Sequence, residues 1–433
     1  MERHKPRVIP VLGIISLATL AACGTSTGSG GGGGSSSGPL DNCVGQVTVA
    51  SDLPTSGGDA AIGGGTEKGV RLAVDQANAA KLLGGCTINY IAKDDSSVAK
   101  GKHDPQQGAQ NVTALVANQA VVGIIGPFNS SVAVAELPIT NKAGVAQISP
   151  SNTDPGLTIA GSDPDIDTAS LKPTGKTTYF RVISNDVVQA EVMAEVAYKE
   201  LKLRKVYDID DQETYGKDLS NYFDKDFQKL GGTVVARASL PGDTKDFRPQ
   251  ITDAQGKGAD SVFFGGVASN GSGILKKQMA DAGFNAQFLS GDGTVDPQFF
   301  IDAGAQGDGA QASSAPDTTK LSSAQQFISQ YKKRYSQDVV AYSTYGYDCM
   351  NILLQAIHDV LVANGGKIPS DPAAFRARVI AKIQGIDYKG TIGETKFDSL
   401  GDTENHDFSV YKATGGKWVA RETISPSVNP SAG

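Results

Sequence analysis

A repeated alternation of short apolar runs with amphipathic stripes constrains this chain more than any other feature. Residues 47–50, 88–92, 121–125 and 145–148 are short, apolar and bounded by polar or glycine-containing segments, as buried strands are. Between them, Val70, Ala73, Val74 and Ala77 recur at helical spacing. Asp104 followed by Pro105 marks a helix start, and 132–142 reads as a further helix. Strands apolar on both faces need helices on both faces, so the pattern specifies a doubly wound α/β sheet. From 154 to 178 the chain turns to Asp, Gly, Pro, Ser and Thr without lasting periodicity, which predicts a long loop or a partly mobile excursion.

The alternation then resumes. Strands are expected at 179–183, 206–209, 233–238, 261–264 and 287–289, with helices near 187–201, 215–230, 246–255 and 273–282. That is a second α/β lobe, as a chain of 433 residues requires, since one core of that size is too large. Helical patterns at 323–335, 345–362 and 371–383 are too many for the second lobe alone and are expected to return to the first.

The first residues carry an address. Arg3, Lys5 and Arg7 precede the apolar stretch 8–20, which is short and interrupted by Pro10, the layout of a secretory signal. Leu20, Ala21, Ala22 and Cys23 resemble the lipobox of bacterial lipoproteins. That resemblance implies cleavage after residue 22, a diacylglycerol on the Cys23 sulfur and a lipid anchor at the cell membrane. Of the 52 glycines, eight fall between Gly24 and Gly38, so 23–43 reads as a lipidated cysteine followed by a flexible Gly/Ser tether. Residues 426–433 read as a tail.

Losing residues 1–22 removes Arg3, Lys5, Arg7 and Glu2 and takes the formal charge from −7 to −9. Such an acidic surface argues against nucleic acid as a partner. In an exported chain Cys43 and Cys86 are expected to form a disulfide, because they precede strands that lie side by side; Cys349, inside a helical pattern, reads as a small buried residue.

Enzyme signatures are poor. Gly175, Lys176 and Thr177 mimic the end of a phosphate-binding loop, but Ser170 stands where glycine is required and a strand follows instead of a helix. His4, His103, His358 and His406 are scattered, with no HExxH, CxxC or GxSxG context, so neither a metal site nor a catalytic triad is expected. Asp94 and Asp95 read as residues that cap a loop or solvate a turn. No catalytic residue, metal or cofactor is assigned, and an exported hydrolase, which would need a nucleophile paired with histidine, is the weakest reading.

Binding signals are better, because polar residues gather in loops after strands, where α/β sheets place ligands. Residues 126–131 precede a helix, so Ser130, Ser131 and unpaired N–H groups can receive a carboxylate, or can simply cap the helix. Ser151 and Thr153 follow the next strand. In the loop 210–216, Tyr215 opens a helix and can cover a small ligand. Gly291 and Gly293 flank Asp292, whose carboxylate is expected to be free to meet an ammonium group, and Val267 can flank an aliphatic side chain. Together these residues suit a zwitterionic amino acid.

The segments Gly69 to Asn78, Asp94-Asp95, Ile125-Gly126 with Ser130-Ser131, Ile148 to Thr153, Phe180-Arg181 with Asp186, Tyr215-Gly216, Phe264 to Gly266, Gly291 to Gly293 and Phe397-Asp398 with Gly401-Asp402 resemble, in order and spacing, the Leu/Ile/Val-binding type of periplasmic solute-binding protein. That family feeds ABC importers. The resemblance covers 47–411 and implies a type I binding-protein fold: two Rossmann-like lobes, 44–182 with 315–391 and 183–314 with 392–425, joined by three crossover strands. It implies that Ser130, Ser151 and Thr153 hold the ligand's carboxylate and amine while Tyr215 and Asp292 close from the facing lobe. It further implies an extracytoplasmic, monomeric receptor that captures a small, aliphatic amino acid and presents it to membrane permease subunits. A sensory lipoprotein, or a receptor for urea, short amides or aromatic acids, would share these residues. Family members often carry glutamate where Asp292 stands and an aromatic residue where Val267 stands, and their counterpart of 155–178 is shorter.

Overall fold

The structure is a computed structural model that describes residues 38–426. The expected signal segment 1–22, the lipidated Cys23, the tether up to residue 37 and the tail from 427 lie outside the described residues.

Two sheets organise the chain. The first contains β1 (Gln46–Leu53), β2 (Thr87–Asp94), β3 (Val121–Ile125), β4 (Ala146–Ser149) and β5 (Tyr179–Arg181), all parallel, in the order β2-β1-β3-β4-β5. The second contains β6 (Lys205–Asp210), β7 (Thr233–Ser239), β8 (Ser261–Gly265), β9 (Gln287–Ser290), β10 (Gln311–Ser314), β11 (Phe408–Thr414) and β12 (Lys417–Ile424). Its order is β12-β11-β10-β9-β8-β6-β7, parallel from β7 to β10 and antiparallel through β11 and β12. The parallel part repeats the order of the first sheet. In each, the chain reverses direction of growth beside its first strand, and the crevice at the carboxyl ends there is where such sheets bind ligands.

Side chains that alternate between two buried faces explain why these runs are strands. In the second sheet Val206, Phe263 and Leu289 face one side with Leu219, Phe223 and Phe227, while Ile209, Val262, Phe264 and Phe288 face the other with Ile251, Leu275, Met279 and Phe299. Helices cover both faces: α1 (Ala60–Ala79), α2 (Pro105–Ala117) and α3 (Ser130–Lys142) belong to the first sheet, and α4 (Asp186–Glu195), α5 (Thr214–Lys229), α6 (Arg248–Gly256), α7 (Ser272–Asp281) and α8 (Pro297–Ala303) to the second. Three later helices, α9 (Gln325–Tyr335), α10 (Ser343–Ala363) and α11 (Pro372–Gln384), pack on the first lobe. Gly69 of α1 lies so close to α10 that a Cβ there would sit 2.1 Å from the Ser343 carbonyl oxygen. Arg376 of α11 donates to the carbonyl of Val121 at 2.9 Å.

Several expectations change. The segment 154–178 is no loose excursion: Leu157, Ile166 and Leu171 are buried with Ala133, Leu137 and Tyr179 in a small core of their own. The strand expected at 179–183 ends at Arg181, and the helix expected from 187 begins at Asp186 and passes into a π turn, Val196–Glu200. Arg181 is fully buried and grips Asp402 through Nε at 2.7 Å and Nη2 at 3.0 Å, tying the end of β5 to the segment before β11. Asp94 caps as expected, accepting from the N–H groups of Thr55 and Ser96. Asp95 does not solvate a turn: it is fully buried beside Asp52 and Glu136. Cys43 and Cys86 are joined by a disulfide at the starts of β1 and β2.

Candidate functional site

Loops from the carboxyl ends of both sheets meet over a narrow cleft, closed down to a free volume of about 20 Å³. Ser130, Ser131, Ser151, Thr153, Tyr215, Val267 and Asp292 all line it, as do Phe128, Asn129, Asp211, Glu213 and Gly293.

The floor on the first-sheet side is built by backbone. Gly126 leaves β3 at φ +121°, and a Cβ there would sit 2.1 Å from the carbonyl oxygen of Asp52, so only glycine lets the chain turn into α3 at this point. α3 then starts at Ser130 with Asn129 at its N-cap, and the Asn129 side chain makes no capping hydrogen bond. The first N–H of the helix with a backbone acceptor is that of Ala133, bonded to Asn129 at 3.0 Å. The preceding N–H groups therefore stand at the positive end of the helix, available to an anion. Ser131 Oγ, buried and without a partner, adds a hydroxyl there. The alternative reading of this loop, a serine that simply caps the helix, has no capping bond to support it. Ser151 Oγ donates to the carbonyl of Phe128 at 2.8 Å, and Asn152 Nδ2 donates to the same oxygen at 2.8 Å, so the second loop braces the first.

The opposite wall is acidic. Asp292 is not free, as its glycine neighbours led us to expect: Oδ1 accepts from Gln189 Nε2 at 2.8 Å and Oδ2 from the Tyr342 hydroxyl at 2.6 Å. These bonds aim a buried carboxylate whose pKa burial pushes up, against the hydrogen bonds from Tyr342 and Gln189. Tyr215 accepts from the Gly293 N–H at 3.2 Å, and Gly291 passes its hydroxyl so closely that a Cβ would sit 2.4 Å away. Asp211 is the second acid of the wall, accepting from Asn270 Nδ2 at 2.7 Å; burial and then the Glu213 carboxylate push it up to about 7. Phe128 packs edge-on to Tyr342 with ring centroids 5.2 Å apart. An adjoining recess shares Phe128, Val267 and Asp292 and adds Ile62 and Val295 together with the acids Asp59 and Asp296, so apolar side chains and carboxylates share that end of the cleft.

Sequence reasoning missed Asp211, Gln189 and Tyr342. Asp211 sits in the same loop as Tyr215 and was available to it. Gln189 and Tyr342 reach the site from α4 and from the turn before α10, and nothing in their own neighbourhoods marks them.

At the rim, a hairpin of Ser96–Ser97 and Lys102–His103 reaches the second lobe. Lys102 Nζ lies 2.7 Å from Glu213 Oε1, and His103 bridges Glu213 Oε2 at 2.6 Å and Asp59 Oδ2 at 2.7 Å. Burial draws the His103 pKa down, but the carboxylates of Glu213 and Asp59 outweigh it and hold the imidazole well above its usual value. The lobes are thus pinned together over the cleft.

A sequence profile described as "Periplasmic binding protein" matches residues 46–417. The chain belongs to the periplasmic binding protein family. Among its relatives, the "Leu/Ile/Val-binding protein homolog 3" of Brucella melitensis is 28% identical over 377 residues, covering 87% of this chain and 94% of that one. The branched-chain amino acid transporter substrate-binding protein LivJ of Streptococcus pneumoniae, solved in complex with isoleucine, superposes with a TM-score of 0.75 at 24% identity over 88% of this chain and all (100%) of that one. An ABC transporter solute-binding protein of R. palustris, solved with benzoate, gives 0.72 at 21% identity, covering 88% and 97%. The fold is that of a type I periplasmic binding protein, and the relatives are solute-binding proteins, not enzymes. Among the described residues no helix is long and apolar enough to cross a membrane.

Proposed function

We propose that this chain is the extracytoplasmic amino-acid receptor of an ABC importer, taking an aliphatic amino acid of the Leu/Ile/Val class in its cleft and handing it to membrane permease subunits. One observation carries the reading: uncapped N–H groups and a serine hydroxyl face a pair of buried carboxylates across one small cleft. A carboxylate suits the first, an ammonium group the second, and Ile62, Phe128, Val267 and Val295 offer apolar contacts to a branched aliphatic side chain once the lobes part to admit it. The relatives named for leucine, isoleucine and valine support the ligand class, and the disulfide supports an oxidising compartment. The lipobox-like residues around Cys23 support a membrane anchor. In this reading the ligand selects the closed form through contacts made in both lobes.

A thermal-shift screen over the twenty amino acids, urea, short amides and benzoate tests it. Leucine, isoleucine or valine at a hundredfold excess over its dissociation constant should stabilise the chain by about 2.7 kcal/mol. The fold neighbour with benzoate motivates a second reading, an aromatic acid held by the same N–H groups. That ligand has no ammonium group for Asp292 and Asp211, so a response to benzoate without one to any amino acid would replace the first reading by the second.

A further inference from the structure

The segment 154–178 brings acids against the second lobe. Asp154, at the N-cap of the turn Pro155–Leu157, and Asp163 converge with Asp218 of α5, and one carboxylate oxygen from each lies within 4.8 Å of the others. All three side chains are buried. Asp154 Oδ2 and Asp218 Oδ2 are shut off from solvent and have no hydrogen-bond partner.

The neighbouring cations are engaged elsewhere. Lys217 pairs with Asp165, Arg181 with Asp402 and the carbonyl of Asp154, and Arg237 with Asp208, Asp210 and Asp224. Like charges brought together out of water need a counter-charge.

We propose that a hard divalent cation, Ca²⁺ foremost, binds between Asp154, Asp163 and Asp218 and latches the two lobes shut beside the ligand cleft. The donor set is oxygen only, which suits Ca²⁺ or Mg²⁺ and not a thiolate- or imidazole-seeking metal. No metal spacing is legible in the sequence because the three aspartates come from separate segments, and Asp165 and Asp167, which lend Asp163 the look of a loop motif, are engaged by Lys217 and by the Ala169 N–H.

The position gives the latch its consequence. Asp154 directly follows Thr153, and Asp218 lies one helical turn beyond Tyr215, so cation and cleft ligand draw together the same two elements. The Tyr222 hydroxyl already spans this seam, donating to the Ser162 carbonyl at 2.9 Å. By linkage, cation and amino acid must raise each other's affinity by the same factor. The coupling rests on the amino-acid reading above; the cation site itself does not.

The test is calorimetric titration of the chelator-treated full chain with CaCl2, and separately MgCl2, into the millimolar range where extracellular modules bind (about 10⁻⁴–10⁻³ M). Each titration is run without and with saturating isoleucine, and Tb³⁺ luminescence excited through tyrosine gives an independent probe at Tyr222. Saturable binding of one cation is expected, weakened at least about tenfold in Asp163→Asn and in Asp218→Asn and tightened by isoleucine. Near-UV circular dichroism of both variants secures their folding. No saturable cation binding, or binding indifferent to both substitutions, overturns the site. Cation binding that isoleucine leaves unchanged overturns the latch if isoleucine itself binds; if it does not, the amino-acid reading fails while the site stands.

Discussion

Asp292 shows how a single residue can be found in a sequence while its working environment cannot. Glycines on either side and a strand before it mark a loop acid, but its two clamps, Gln189 and Tyr342, stand about 100 and 50 positions away (separations of 103 and 50). Those bonds hold a buried carboxylate that burial would otherwise drive toward its neutral form. An ammonium group placed against it gains a charge-assisted bond, and the neutral isostere forfeits that bond while leaving the ligand's charge buried. Asp292→Asn should therefore weaken amino-acid binding by about 2–5 kcal/mol in isothermal titration. The same substitution relieves the cost of burying a charge, so the melting temperature of the ligand-free variant should not fall. An unchanged affinity would refute the role. Ser131 and Tyr215 were legible for the same reason as Asp292, since small or aromatic residues after a strand mark a ligand loop. Asp211 was passed over because Tyr215 in the same loop drew the reading.

At the scale of elements, strands and helices were readable wherever burial leaves a continuous apolar run or a helical stripe, as in Val121–Ile125, buried at every position. The reading failed where the chain builds a small core from scattered residues: Leu157, Ile166 and Leu171 have no common period, yet they fix the segment 154–178 against α3. The hairpin that carries Lys102 and His103 was equally hidden, because two-residue strands leave no alternation to read. That hairpin closes the rim, and its histidine makes closure depend on pH. In the open form, free of Glu213 and held by Asp59 alone, the imidazole should titrate below its closed-form value, which Glu213 and Asp59 together hold well above the usual one. Closing therefore takes up a proton between those two values. The stabilisation is fully present below the open-form value and is lost as pH rises through the raised, closed-form value. Ligand affinity measured from pH 6 to pH 10 should decline along that course, and His103→Gln should remove this component. A profile that is the same in both chains would show that the histidine does not report closure.

For the whole molecule, each parallel sheet has two ends with different duties. The carboxyl ends of β3 and β4 carry the cleft, while the disulfide between Cys43 and Cys86 ties the opposite ends of β1 and β2. The pairing was legible because both cysteines precede strands. Which face of the molecule the bond would occupy followed only once the strand order was known. A bridge closing a 43-residue separation limits the unfolded chain far more than it shapes the folded one, and losing it should cost about 2–4 kcal/mol. Sites this far apart share no partners, so their free energies should add. Reduction with dithiothreitol should lower the melting temperature while the dissociation constant for the cleft ligand, measured well below the new midpoint, stays within about twofold. Stability and affinity falling together would mean that the bond at one end of the sheet sets the geometry of the loops at the other, and that the two ends are not independent. Cys43→Ser with Cys86→Ser separates this outcome from side effects of the reductant, because it removes the bond without exposing any other part of the chain to thiol.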